Sequence, residues 1–172
     1  MSWTTSFPCA LNVRPIPPVC QGFSPLAKRE APHDPGSMST PPTAPWNDHA
    51  GRRFSLSATV LEARDANELA DFYHRLLGWP VIADEDGWVM LRPPGGGSGL
   101  SFSSDPLYRP PVWPATTDHN QMQLHLDIRV DDLTAGVEHA LATGARLADF
   151  QPQDDVRVLL DPAGHPFCFF ES

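Results

Sequence analysis

Residues 65–78 read D-A-N-E-L-A-D-F-Y-H-R-L-L-G, and residues 132–144 read D-L-T-A-G-V-E-H-A-L-A-T-G. In the first stretch Asp65 and Glu68 stand at the D-x-x-E spacing of a capping box, where a side-chain carboxylate accepts from the free N–H groups of a first helical turn. Leu69, Phe72, Tyr73 and Leu76 follow at i, i+3, i+4 and i+7, and Gly78 supplies the stop, so this is an amphipathic helix. The second stretch is built alike. Asp131 and Asp132 offer the N-cap, Leu133, Val137 and Leu141 make the expected apolar stripe, and Gly144 ends it.

Each helix is set in the same surroundings. Ser55 to Ala63 reads as a strand before the first helix. Pro80 to Ala83, Trp88 to Leu91 and Leu100 to Ser103 read as three strands after it, separated by D-E-D-G and P-P-G-G-G turn chemistry. In the second half Leu124, Leu126, Ile128 and Val130 alternate with Gln123, His125, Asp127 and Arg129, a strand with one apolar and one polar face. Arg146 to Phe150, Val156 to Leu160 and Phe167 to Glu171 supply three more strands, with D-P-A-G at residues 161–164 as a turn. Ala58 and His125, Asp65 and Asp132, and Ser101 and Cys168 are each 67 residues apart. That period argues for one strand-helix-three-strand module used twice. Asp105 to Met122, between the copies, is longer than the about 12–15 residues at which structureless loops become uncommon, so it serves as connector or pocket lid.

Ten of the 20 prolines fall before Trp46, in a chain of 172 residues. Residues 1 to 50 are therefore expected to be a disordered, Pro-rich extension, with Met38 as an alternative start, and residues 53 to 172 the folded domain. Charges cancel over residues 1–49, so the net charge of -9 belongs to the remainder. An acidic domain without a basic, aromatic-studded stripe is a poor partner for nucleic acid or anionic lipid, and no apolar run approaches the length of a membrane span. Prolines and Arg14 interrupt any secretory signal core, and Cys9, Cys20 and Cys168 show neither finger spacing nor a disulfide framework. A reduced, cytoplasmic setting is expected.

With its Asp-led helices, A-D-F-Y-H-R-L-L-G-W at residues 70–79 and D-P-A-G-H-P-F at residues 161–167, the duplicated unit resembles the vicinal oxygen chelate superfamily of glyoxalase, bleomycin-resistance and extradiol-dioxygenase proteins. Its H-L-D before V-D-D-L and its D-P-A-G-H-P-F-C ending look most like glyoxalase-like domain proteins. The resemblance, from about Arg53 to Glu171, implies an α+β fold of two tandem βαβββ modules forming a U-shaped eight-stranded sheet around a pocket. It also implies a site where catalytic members hold a divalent ion with His, Gln or Glu from the first and last strand of each module. Those positions match Ala58, Ser101, His125 and Cys168 here. Ala58 has no donor, and a neutral Ser101 hydroxyl is a poor one, so a divalent metal is disfavoured and no cofactor is expected.

His125 then reads as a general base, a remaining ligand or a hydrogen-bonded wall residue, and Asp127 and Arg129 share its face, as a substrate-orienting wall or as an ion pair. Trp88, Phe102 and Trp113 are candidates to stack on a planar ligand, or to be core. Cys168 among phenylalanines reads as core, and His165 as a solvated or capping residue. The leading reading is metal-independent binding or sequestration of a small molecule. The alternative is a lyase, isomerase or dioxygenase using an atypical metal site or His125 as acid/base. A homodimer is expected, because open sheet edges need cover.

Overall fold

The computed structural model describes residues 46–47 and 53–171. The disorder expected for residues 1–50 lies outside the described residues, except that Trp46–Asn47 (β1) pairs antiparallel with Arg53–Phe54 (β2). Helix α1 spans Ala66–Leu77. Its cap is the one the sequence signals: the Asp65 carboxylate accepts from the N–H groups of Asn67 at 2.8 Å and Glu68 at 3.2 Å. Gly78 ends it in the left-handed region at φ 67°, donating its N–H to the His74 carbonyl. Leu69, Phe72, Tyr73 and Leu76 are all buried, each burial of a large apolar side chain being worth about 1.5–3 kcal/mol.

Helix α2 spans Leu133–Thr143, with the Asp132 carboxylate accepting from the Ala135 N–H at 2.9 Å. Its buried face differs from the expected stripe. Leu133 and Val137 pack against the core, but the third position is Ala140, wholly buried, while Leu141 is 44% exposed. Seven residues complete nearly two turns and return to the same face, whereas eight overshoot it.

Around the helices lie two four-stranded sheets. The first holds Ala58–Ala63 (β3), Val81–Glu85 (β4), Trp88–Leu91 (β5) and Gly99–Ser104 (β6) in the order β3-β6-β5-β4. The second holds Leu126–Arg129 (β7), Arg146–Leu147 (β8), Val156–Leu160 (β9) and Pro166–Phe170 (β10) in the order β7-β10-β9-β8. In each, the first strand runs parallel to the last and the other pairs are antiparallel. The identical order makes the duplication concrete: eight strands in two βαβββ modules, whose described pairs join strands only within a module. Strand β7 begins three residues later than the alternation suggests. Phe167 pairs with Leu126, so the next partner back, for His125, is Pro166, which has no N–H to donate.

Leu61, Phe102 and Leu91 of the first sheet and Leu159, Phe167 and Phe169 of the second enter one core with both helices. Phe72 lies edge-on to Tyr73, and both rings reach Phe167 of the other module at 6.2 and 6.3 Å. Gly99 is required at its position, since a Cβ there would collide with the Leu91 carbonyl oxygen. Among the described residues, no helix is long and apolar enough to cross a membrane.

Candidate functional site

Because one face of each sheet is committed to the helices, chemistry is left to the other. Strand alternation assigns Ala58, Val60, Glu62, Trp88, Met90, Ser101 and Ser103 to that face of the first sheet, and Asp127, Arg129, Val158 and Cys168 to that of the second. Leu126 and Ile128 pack against the core, which leaves His125, Asp127 and Arg129 together on the opposite side, as the sequence suggests. Among the described residues Asp127 pairs with His125, its Oδ1 3.2 Å from Nε2, and not with Arg129.

The three candidate aromatics separate. Phe102 is wholly buried and stacked on Tyr73, with centroids 5.5 Å apart. It faces the helix and is not available to a ligand, because Ser101, one residue before it, takes the other side. Trp88 is half-buried on the Ser101 side, paired with Ser103. Trp113 crosses to the second sheet, where it packs on the cluster of Ala148, Val158 and Cys168 and donates its indole N–H to the Phe150 carbonyl at 3.0 Å.

A cleft of about 420 Å³ lies between β3 and residues 108–124. Val60, Met122 and Leu124 give it apolar walls; Glu62, Tyr108 and His165 give it polar ones. Neither Trp88, Phe102 and Trp113 nor the 125-127-129 wall lines it. The residue that sequence reading undervalued is His165. Its ring Nδ1 lies 2.8 Å from the Oδ2 of Asp161, whose side chain is wholly buried, and its backbone N–H donates to Asp161 Oδ1 at 2.9 Å. Tyr73 donates its hydroxyl to Asp161 Oδ2 at 3.1 Å. A carboxylate only accepts, so Nδ1 carries a proton, and Nε2 lies 2.9 Å from the Tyr108 hydroxyl oxygen. The Tyr108 hydroxyl donates to the Ala163 carbonyl at 3.2 Å.

Burial first, then the charges of Asp161 and Glu62, push the Tyr108 phenol well above its ordinary value. Burial and Asp161 do the same to Tyr73. Both therefore remain neutral donors at working pH. The only sequence signal for this network was the D-P-A-G-H turn; its link to Tyr108 spans 57 residues.

The four positions implied for a divalent ion do not fit one. Ala58 has no donor atom, and Ser101 Oγ is buried with no hydrogen-bond partner, while His125 and Cys168 belong to the other module. What the structure does assemble in the second module is a trio. One ligand atom each from His125, Asp127 and Cys168 all lie within 4.8 Å of one another. Asp127 is the member that the four-position comparison missed, because it sits in mid-strand.

The family model described as "Glyoxalase-like domain" matches residues 58–170. No curated protein is similar enough to count as a relative. Among solved structures, a glyoxalase/bleomycin resistance protein/dioxygenase family enzyme from Burkholderia phytofirmans PsJN superposes with a TM-score of 0.54 at 21% identity, over 69% of this chain and 98% of that one. A glyoxalase-related enzyme from Fulvimarina pelagi gives 0.51 at 17% identity, over 69% and 88% of the two chains. These likenesses speak to fold.

Proposed function

Because the chain belongs to the glyoxalase-like domain family, we propose that it binds a small organic molecule in the cleft between β3 and residues 108–124, without a metal ion on the ligand. One observation carries this reading: an imidazole and a phenol, both fixed by a buried carboxylate network, meet apolar walls in a cleft of about 420 Å³. Ligand sites are commonly apolar hollows with a few preorganised polar groups. His165 and Tyr108 lose little freedom when a ligand arrives, because Asp161 and Ala163 already hold them. The test is a thermal-shift screen of small organic molecules on the full chain, followed by calorimetry of any hit. His165→Gln and Tyr108→Phe are expected to weaken a hit by more than about tenfold, the loss of one buried hydrogen bond. Hits that bind both variants as well as the wild type would refute this site.

A second reading, proton transfer on the bound molecule, is favoured by the Asp161–His165 pair, since a carboxylate-oriented imidazole is suited to general base work. Turnover abolished in His165→Gln at ligand concentrations that saturate the variant would support it. Among the described residues β3 and β7 are each paired on one side only, which supports a homodimer. Light scattering showing a monomer at micromolar concentration would remove that part.

A further inference from the structure

We propose that Arg92 and Ser101, on the free face of the first sheet, form a binding site for the carboxylate of a small organic acid, distinct from the cleft. Among the described residues two buried side-chain polar atoms have no hydrogen-bond partner, Arg92 Nε and Ser101 Oγ. They stand on one surface. Val89 and Leu91 of β5 are core residues, so alternation turns Met90 and Arg92 to the opposite side, where Ser101 also stands. Met90 is the direct cross-strand partner of Ser101. Arg92, two residues on, still follows the sheet, its N–H donating to the Pro80 carbonyl at 3.3 Å. Gly99 puts no side chain beside it, where a Cβ would stand 3.6 Å from the Arg92 Cα. Buried donors without acceptors are costly, so two of them on one face mark a place for an acceptor from outside the chain.

Donor chemistry selects the ligand. Nε and Nη2 share one edge of a guanidinium, the fork that takes the two oxygens of a carboxylate in parallel. In Arg92 that edge meets the Met90 sulfur, 3.9 Å from Nη2, and a thioether is a weak acceptor. The ion pairs of the described residues are made by Arg75, His125 and His165, not by Arg92. Ser101 adds a wholly buried hydroxyl from the adjoining strand. A guanidinium only donates and a hydroxyl can donate once, so the pair fits a group that only accepts. Charge narrows the class: one guanidinium balances one carboxylate, whereas a phosphate dianion would add an uncompensated charge to a chain of net charge -9. Met90 is half-buried, and its unbranched chain can yield the fork to a carboxylate. None of Arg92, Met90 and Ser101 lines the cleft.

The experiment titrates the ¹⁵N-labelled full-length chain with benzoate, with its uncharged isostere benzamide and with inorganic phosphate, and follows the arginine Nε–H resonances by NMR. The expected result is a saturable one-to-one shift of the Arg92 Nε–H with benzoate, the resonance being assigned by its loss in Arg92→Lys. Benzamide should leave it in place, and phosphate should bind more weakly than benzoate. Arg92→Lys keeps the charge and loses the fork, so calorimetry should show benzoate bound more weakly by more than about tenfold. Ser101→Ala should weaken it by about tenfold, the loss of one hydrogen bond to a charged group. Circular dichroism confirms that both variants are folded. His165→Gln should leave the Arg92 shift unchanged, so failure of this site and failure of the cleft are read separately. An Arg92 resonance unmoved by benzoate, an equal response to benzamide, phosphate binding tighter than benzoate, or wild-type affinity in either Arg92→Lys or Ser101→Ala would each overturn the proposal.

Discussion

The two tyrosines of the chain give a direct test of the buried network around Asp161. Tyr73 is wholly buried and donates to a buried carboxylate, and its phenol is held well above the ordinary value of 10. In the unfolded chain it ionises near pH 10; in the folded protein it does not. Above pH 10 the folded state therefore binds one proton more than the unfolded state. The stabilisation is complete below pH 10 and is lost as pH rises toward the folded value, at about 1.4 kcal/mol per pH unit. Tyr108 acts in the same direction, but it is partly solvent-screened and contributes less.

Little else titrates there. The one lysine, Lys28, lies outside the described residues, and arginine keeps its charge. Above pH 10 urea unfolding should show the wild type losing stability with rising pH more steeply than Tyr73→Phe. At neutral pH Tyr73→Phe itself should cost about 1.5–3 kcal/mol, the range for a hydrogen bond to a charged group. Absorbance at 295 nm should show no tyrosinate from Tyr73 until circular dichroism reports unfolding. If one tyrosine per chain ionises near pH 10 with the fold intact, or if the two proteins have equal pH slopes, the placement of Tyr73 against Asp161 is refuted.

Leu126→Asp should unfold the protein, since it puts a carboxylate into the shared core, whereas Asp127→Asn should leave the circular dichroism spectrum and melting temperature nearly unchanged; the reverse ranking would mean that the faces of β7 are exchanged. Ser101→Ala should be neutral or mildly stabilising in urea titration, because it removes a buried hydroxyl with no partner. Gly99→Ala should cost more than the about 1 kcal/mol of a typical substitution, since β6 has to shift to clear the Leu91 carbonyl; equal stability would contradict the close approach of the two strands.

Helix α1 was legible almost to the residue because its signals are local: one carboxylate, one glycine and a stripe of large side chains. The face of α2 was less so, because its central buried residue is Ala140, whose small side chain adds little to an apolar period, and the neighbouring Leu141 drew the stripe off by one position. Phe102 was decidable in principle. Once Ser101 is assigned to the chemical side of β6, alternation sends Phe102 to the helix side, and only treating the two residues separately left it a ligand contact. His165 was not decidable. Its role depends on Tyr108 arriving from the inter-module segment, a pairing that no local pattern carries. Asp127 was visible as part of a polar wall, but its proximity to Cys168 follows from the register of β7 against β10.

Comparison of the modules at the 67-residue offset shows what the fold constrains and what it leaves free. On the helix-facing side Leu61 corresponds to Ile128, Leu100 to Phe167 and Phe102 to Phe169, apolar in every case and all within the shared core. On the opposite side Ala58 corresponds to His125, Val60 to Asp127, Glu62 to Arg129 and Ser101 to Cys168. Each pair there changes chemical class, and one inverts its charge. Both copies carry the same packing requirement on one face, where loss of a large side chain costs about 2–5 kcal/mol, and no such requirement on the other. The first module's free face has thereby become the wall of an organic-sized cleft, through Val60 and Glu62. The second module's has gathered nitrogen, oxygen and sulfur donors. Ligand positions matched between the modules are therefore not preserved on this face, while the packing positions of the other face are.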